Sequence, residues 1–201
     1  MKKILFISLL FLTSVALVAQ PKQDDKTLWK ESKKMAKQLT KEGWKPDSLD
    51  PLETLIFNYK KEAQSEDVKY EKLESTVNGQ KSVKTTNRAR QWALMNAKAE
   101  YASRAKMQLQ GGFEGAPEEF YQKYEGLVSA KIQNELKPMV CLYRENSDGS
   151  LDYKIFFLVD NDAALKARLN AIEQIKLEAQ IVGVNIDDVN KYIRENVTII
   201  K

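Results

Sequence analysis

Histidine is absent from this chain, and cysteine occurs once, at Cys141. Without histidine there is no Ser-His-Asp or Cys-His relay and no histidine-containing zinc site. A single cysteine builds neither a cysteine zinc cluster nor an iron–sulfur centre, and it cannot close an intramolecular disulfide. Stability must therefore come from packing. Cys141 lies in the strand-like run Met139-Val140-Cys141-Leu142-Tyr143, where a buried, inert thiol is expected. The eight glycines form no phosphate-cradling loop and no dinucleotide fingerprint. Gly111-Gly112 with Gly115 follows a helical pattern, so it reads as a loop. Asp148-Gly149 and Asp160-Asn161-Asp162 lack the ligand spacing and final glutamate of a calcium loop, and read as a turn and a helix cap. With only five prolines and 43% apolar residues, the chain is expected to fold rather than to be disordered.

The one long apolar run stands at the start. Met1-Lys2-Lys3 is basic, Ile4 to Val18 is apolar apart from Ser8, Thr13 and Ser14, and Ala19 precedes Gln20-Pro21. This is the pattern of a secretory signal peptide over residues 1–19, with cleavage after Ala19. The run is too short for the ~20 residues that span a bilayer, so no transmembrane span is expected in the mature protein. No cysteine follows it to carry a lipid. The expectation is an exported, periplasmic or envelope-associated protein that is not a lipoprotein. Removing Lys2 and Lys3 from the 32 basic residues leaves 30 against 28 acids, so the formal charge falls from +4 to +2. Both signs are interleaved along the mature chain, with no basic stripe, and no nucleic-acid partner is expected.

Periodicity places a helix from about Thr27 to Glu42, with Leu28, Met35, Ala36 and Leu39 on its apolar face. Gly43 suits the left-handed residue that ends a helix, and Trp44 the position that packs back on Leu39. Asp50-Pro51-Leu52-Glu53 reads as a second helix start capped by Asp50, with Leu52, Leu55, Ile56 and Tyr59 as its stripe. Val68 to Val77 is strand-like and ends at the turn pair Asn78-Gly79. Thr85 or Thr86 opens a long alanine-rich helix to about Leu109, smooth enough for close packing on a sheet. Gln110 to Gly115 breaks it. Pro117-Glu118-Glu119 starts another helix, with Phe120, Tyr124, Val128, Ile132 and Leu136 every four residues and Pro138 as its stop. Met139–Arg144 and Leu151–Val159 are the best strands, joined through Asp148-Gly149 as a hairpin. Leu151, Tyr153, Ile155, Phe157 and Val159 share one face and are expected to pack on the Ala89–Ala105 helix; Phe156 and Leu158 take the other. A helix capped by Asp160 or Asn161 carries Leu165, Leu169, Ile172 and Ile175, and a last one spans Asp187 to Asn196.

These elements predict an α+β fold: a small, mainly antiparallel three-stranded sheet packed with helices, preceded by a helical hairpin. The expected divisions are the leader (1–19), an N-terminal helical segment (20–66) and an α+β domain (67–201).

The run Thr86-Asn87-Arg88-Ala89-Arg90-Gln91-Trp92-Ala93-Leu94-Met95-Asn96-Ala97-Lys98-Ala99-Glu100-Tyr101-Ala102 follows a turn carrying Gly79 and precedes a helix and the hairpin Met139–Val159. This arrangement resembles the LPP20-like envelope proteins of Gram-negative bacteria, with their strand–helix–strand–strand core. Lys41-Glu42-Gly43-Trp44-Lys45-Pro46, followed by Pro51-Leu52-Glu53, is similar to the exported Bacteroides-type relatives of that group. The resemblance covers about residues 40 to 175. It implies an envelope protein and supplies no catalytic residues; the lipidated cysteine of the lipoprotein members is missing.

The sequence thus assigns no catalytic, cofactor-binding or metal-ligating residue. The adjacent acids Asp24-Asp25, Glu118-Glu119 and Asp187-Asp188 are explained by helix starts and solvation. Trp29, Trp44 and Trp92 are read as core rather than as a sugar-binding groove. The reading is a non-catalytic interaction or binding module, with an envelope protein or a glycan as partner. The alternative is a carboxylate-based hydrolase acting on glycans, which needs two acids facing one cleft.

Overall fold

The computed structural model describes residues 24–79, 83–113, 116–177 and 184–197. The predicted leader and its cleavage site, Gly183 and the apolar residues after Val197 lie outside them. The order of elements is α1 (Asp25–Lys41), β1 (Lys45–Pro46), α2 (Leu52–Glu62), β2 (Tyr70–Val77), α3 (Thr86–Gly112), α4 (Glu118–Lys131), a 3-10 turn (Ile132–Asn134), β3 (Leu136–Glu145), β4 (Leu151–Asp160), α5 (Asn161–Leu177) and α6 (Ile186–Val197). The fold is α+β. Among the described residues the sheet has four strands in the order β1-β3-β4-β2, and every pairing is antiparallel.

The fourth strand corrects the expected three. It is Lys45–Pro46, which pairs with Tyr143 and Leu142. Two residues are too few to show a period of two, so nothing in the pattern marks them. They are delivered there by the end of α1. Gly43 takes φ +86°, its amide donates to the Thr40 carbonyl, and the Trp44 amide donates to the Leu39 carbonyl. That paired ending turns the chain onto the sheet edge and buries Trp44 with Leu39. The segment before residue 66 is therefore not helical throughout.

Two helices, α2 and α4, start at a proline with no side-chain cap, while α1 and α3 are capped as the rules expect. Asp24 accepts the Thr27 amide at 2.6 Å and Thr85 accepts the Arg88 amide at 3.4 Å. At α2 the cap position is Pro51, with an extended ψ of 136° and no side-chain cap, rather than Asp50. Pro51 stands half outside the helix, so Asp50 lies one residue too early to cap it. The expected break at Gln110 falls later, because both Gly111 and Gly112 keep helical geometry at the end of α3. Pro138 is not the stop of α4. The helix ends at Lys131, the 3-10 turn follows, and Leu136 already belongs to β3. Pro138 sits in that strand beside a register irregularity between it and Val140, a place where a missing amide is tolerated.

The sheet is covered on both faces. Leu151, Tyr153, Ile155, Phe157 and Val159 of β4 join Leu73 and Val77 of β2 in a core with Ala89, Ala93, Ala97, Ala102 and Ala105 of α3, and with α4, α5 and α6. On the opposite face, Phe156 and Leu158 pack with Val140 and Leu142 beneath Ala36, Leu39, Leu52, Ile56 and Tyr59 of α1 and α2. Alanine matters because the α3 backbone comes close: the buried Ser75 hydroxyl of β2 donates to the Ala93 carbonyl at 2.8 Å. On α5 the core-facing residues are Ala164, Ala167, Arg168, Ala171, Ile172 and Ile175, whereas Leu165 and Leu169 are only partly buried. The expected stripe is thus rotated toward the alanines, whose small side chains let α5 approach its neighbours.

Candidate functional site

The helical layer formed by α3, α4, α5 and α6 holds a half-open cavity of about 190 Å³. Its walls are Ala105, Gln108 and Leu109 of α3, Tyr124 of α4, Arg168 of α5, and Tyr192 and Ile193 of α6. Four helices meet here. Ala97, Tyr101, Ala105 and Leu109 run down α3, and Ala164, Arg168 and Ile172 run down α5. An arginine on the core-facing line of α5 is the unusual member.

Arg168 is only 3% exposed. Its Nη1 donates to Gln108 Oε1 at 2.8 Å, and its guanidinium carbon lies 5.3 Å from the centroid of the Tyr101 ring. Its Nε is buried and has no hydrogen-bond partner. Among the described residues no carboxylate forms an ion pair with it; the acid it influences, Glu71 on β2, lies 3.9 Å from Arg104 instead. Burial raises the Glu71 carboxyl above its ordinary value, and the Arg168 and Arg104 charges oppose that rise. Burial likewise raises the hydroxyls of Tyr101 and Tyr124, with Arg168 again opposing. The Arg168 guanidinium, the Tyr124 phenol and apolar walls make a site that donates hydrogen bonds.

The outer wall depends on a glycine. Tyr192 donates its hydroxyl to the Gln108 carbonyl at 2.9 Å and lies over Gly112. A Cβ built on Gly112 would fall 1.9 Å from the Tyr192 oxygen, so only glycine admits this placement.

The residues considered from sequence lie elsewhere. Asp24 is the α1 cap, and Asp25 pairs with Lys61 at 2.8 Å. Glu118 and Glu119 open α4, where Glu118 meets Gln110 and Gln122. Asp187 and Asp188 open α6. None lines the cavity. A shallower groove of about 280 Å³ between α5 and α6 does hold two acids, Asp162 and Glu173. They are eleven residues apart on one helix, so their Cα atoms are separated by ~16 Å, beyond the reach of a paired-carboxylate glycosidase. Trp44 is buried, with Arg144 4.7 Å and Lys154 5.4 Å from its ring. Trp29 packs edge-on to Phe57 at 5.3 Å, and Trp92 packs against the larger core. Cys141 is half-buried, and burial raises its thiol above the ordinary value, as befits an unreactive side chain. Among the described residues no group of three or more His, Cys, Asp or Glu is placed to hold a metal ion. No helix among them is long and apolar enough to cross a membrane.

Sequence reasoning took Tyr124 for stripe and passed over Arg168, Tyr101, Gln108 and Tyr192. The signal was present in Arg168, which stands four residues from both Ala164 and Ile172. No model of a protein family, no curated protein and no solved structure matches this chain.

Proposed function

We propose that this chain is an exported protein of the periplasm or cell envelope, akin to the LPP20-like group, that works by binding a partner and not by catalysis. The leader pattern of residues 1–19 supports the location. The observation that carries the binding reading is the cavity at Arg168. Its walls combine a buried cation, tyrosines and apolar side chains, and among the described residues they contain no nucleophile–base pair and no carboxylate. Such a surface holds a ligand in a fixed orientation without offering it a reacting group. An envelope protein or a glycan-bearing molecule is the partner class that the location suggests.

The test is recovery of the native protein from the envelope fraction, with partners identified by mass spectrometry after brief crosslinking. Intact mass reports the leader and any lipid in the same experiment. A defined partner set and an unlipidated species starting at Gln20 are expected. Turnover of glycans, peptides or esters by the purified protein, lost on mutation of a carboxylate, would overturn the reading.

A further inference from the structure

We infer that the Arg168 cavity is a binding site for a small monocarboxylate with a short apolar body. This rests on the binding reading above and names the ligand class for that site. A buried guanidinium with an unpartnered donor is a costly arrangement, because an ion taken out of water needs its hydrogen bonds made elsewhere. Gln108 accepts from Arg168 at 2.8 Å, and the Tyr101 side chain lies within its hydrogen-bonding reach. Nη1 is the nitrogen engaged by Gln108. Nε lacks a partner but is itself closed to solvent, so the carboxylate is taken by the part of the planar guanidinium that lines the cavity, a group that binds carboxylates through parallel hydrogen bonds.

Charge decides between anions. Arg168 is the only cation lining the cavity among the described residues, and Glu71 lies close enough to interact with it electrostatically. Arg104 does not add to the site, since it is held by Glu100 at 2.5 Å and sits near Glu71. Counting the residues that line the cavity, a monocarboxylate is matched one charge to one. A phosphate dianion would leave net negative charge in a largely buried space beside a glutamate. Size and polarity decide the rest. At about 190 Å³ the cavity is smaller than the ~300–1,000 Å³ typical of drug-sized ligands, which calls for a compact molecule. Ala105, Leu109 and Ile193 are buried apolar walls suited to its hydrocarbon part.

The full mature chain would be titrated by calorimetry and ligand-observed NMR with butyrate and benzoate, their neutral amides, and inorganic phosphate. The expected result is saturable binding of at least one acid with a Kd under about 1 mM, and its amide weaker by about 10-fold or more. Arg168→Lys keeps the charge and removes the planar fork, and should weaken the acid by about 10-fold. Arg168→Met keeps the bulk without the charge and should abolish binding. Gly112→Ala moves only the Tyr192 wall. It should change the affinity ratio of benzoate to butyrate in a protein whose circular dichroism is unchanged, and this readout does not depend on altering the buried arginine. Equal binding of acid and amide, preference for phosphate, retention of affinity in Arg168→Met, or no saturable binding of either acid would each overturn the inference. In the last case a defined envelope partner set would leave the binding reading standing, whereas hydrolytic turnover would remove that reading itself.

Discussion

Asp152 is where a single residue holds most together. It is 5% exposed and accepts the Gly79 amide at 2.6 Å, Asn146 Nδ2 at 2.8 Å, and Arg144 Nε and Nη2 at 3.0 and 2.6 Å. Arg144 also donates to the Glu42 carbonyl at 3.2 Å and lies over Trp44. One carboxylate thus joins the exit of β2, the β3–β4 hairpin and the end of α1. Burial alone would raise its pKa, but the Gly79 amide, Asn146 and Arg144 outweigh that and hold it below the ordinary value. A depressed acid pKa contributes stability that is present above the unfolded value of about 3.9, and it is lost as pH falls through the lower folded value. Asp152→Asn should cost about 1.5–3 kcal/mol at neutral pH, as expected for hydrogen bonds to a charged group. The gap between wild type and variant should then close as pH drops below about 3.9. Urea midpoints measured across that range check both claims; a gap independent of pH would mean that the carboxylate charge contributes nothing.

At the scale of elements, two adjacent glycines at the end of α3 should respond oppositely. An alanine Cβ at Gly111 would meet nothing within 4 Å, whereas at Gly112 it would strike the Tyr192 ring. Gly111→Ala should therefore stabilise by up to about 0.5–1 kcal/mol through helix propensity. Gly112→Ala should forgo that gain, because Tyr192 must leave its place over α3. Denaturant midpoints of the two variants separate the effects, and equal gains would show that Tyr192 does not pack there. The same region shows what the sequence could reveal. Apolar alternation along Leu151–Val159 announced β4 and its two buried faces, and Gly43-Trp44 announced the end of α1 together with the contact between Trp44 and Leu39. The two-residue β1 was silent, because it is placed by the α1 ending and not by its own pattern. Leu136 misled because the four-residue spacing from Ile132 continues across the 3-10 turn into a strand. The cavity was hidden because its residues come from four helices whose meeting is set by tertiary packing; only Arg168, standing on an apolar line, carried a trace of it.

Across the whole molecule, β4 is the shared member. It pairs with β2 along one edge and β3 along the other, and its two faces supply side chains to both cores. Neither helical layer has a sheet of its own, so neither can keep its apolar face covered once β4 is lost. The two layers should therefore unfold in one transition. Ile56 is fully buried in the α1–α2 layer, and Ile56→Ala should cost about 2–5 kcal/mol. Ala97 and Ala102 are fully buried in the opposite core, and Ala97→Phe or Ala102→Phe should cost about 1–3 kcal/mol by overpacking. The tryptophans make the coupling measurable. Trp29 and Trp44 report on the α1–α2 side and Trp92 on α3, while far-ultraviolet circular dichroism reports on all helices. In each variant the fluorescence and dichroism transitions should shift together and remain superimposable. If Ile56→Ala moved the fluorescence transition ahead of the dichroism while Ala97→Phe moved only the latter, the α1–α2 layer would be an independent unit resting on the sheet, and the coupling assigned to β4 would be wrong.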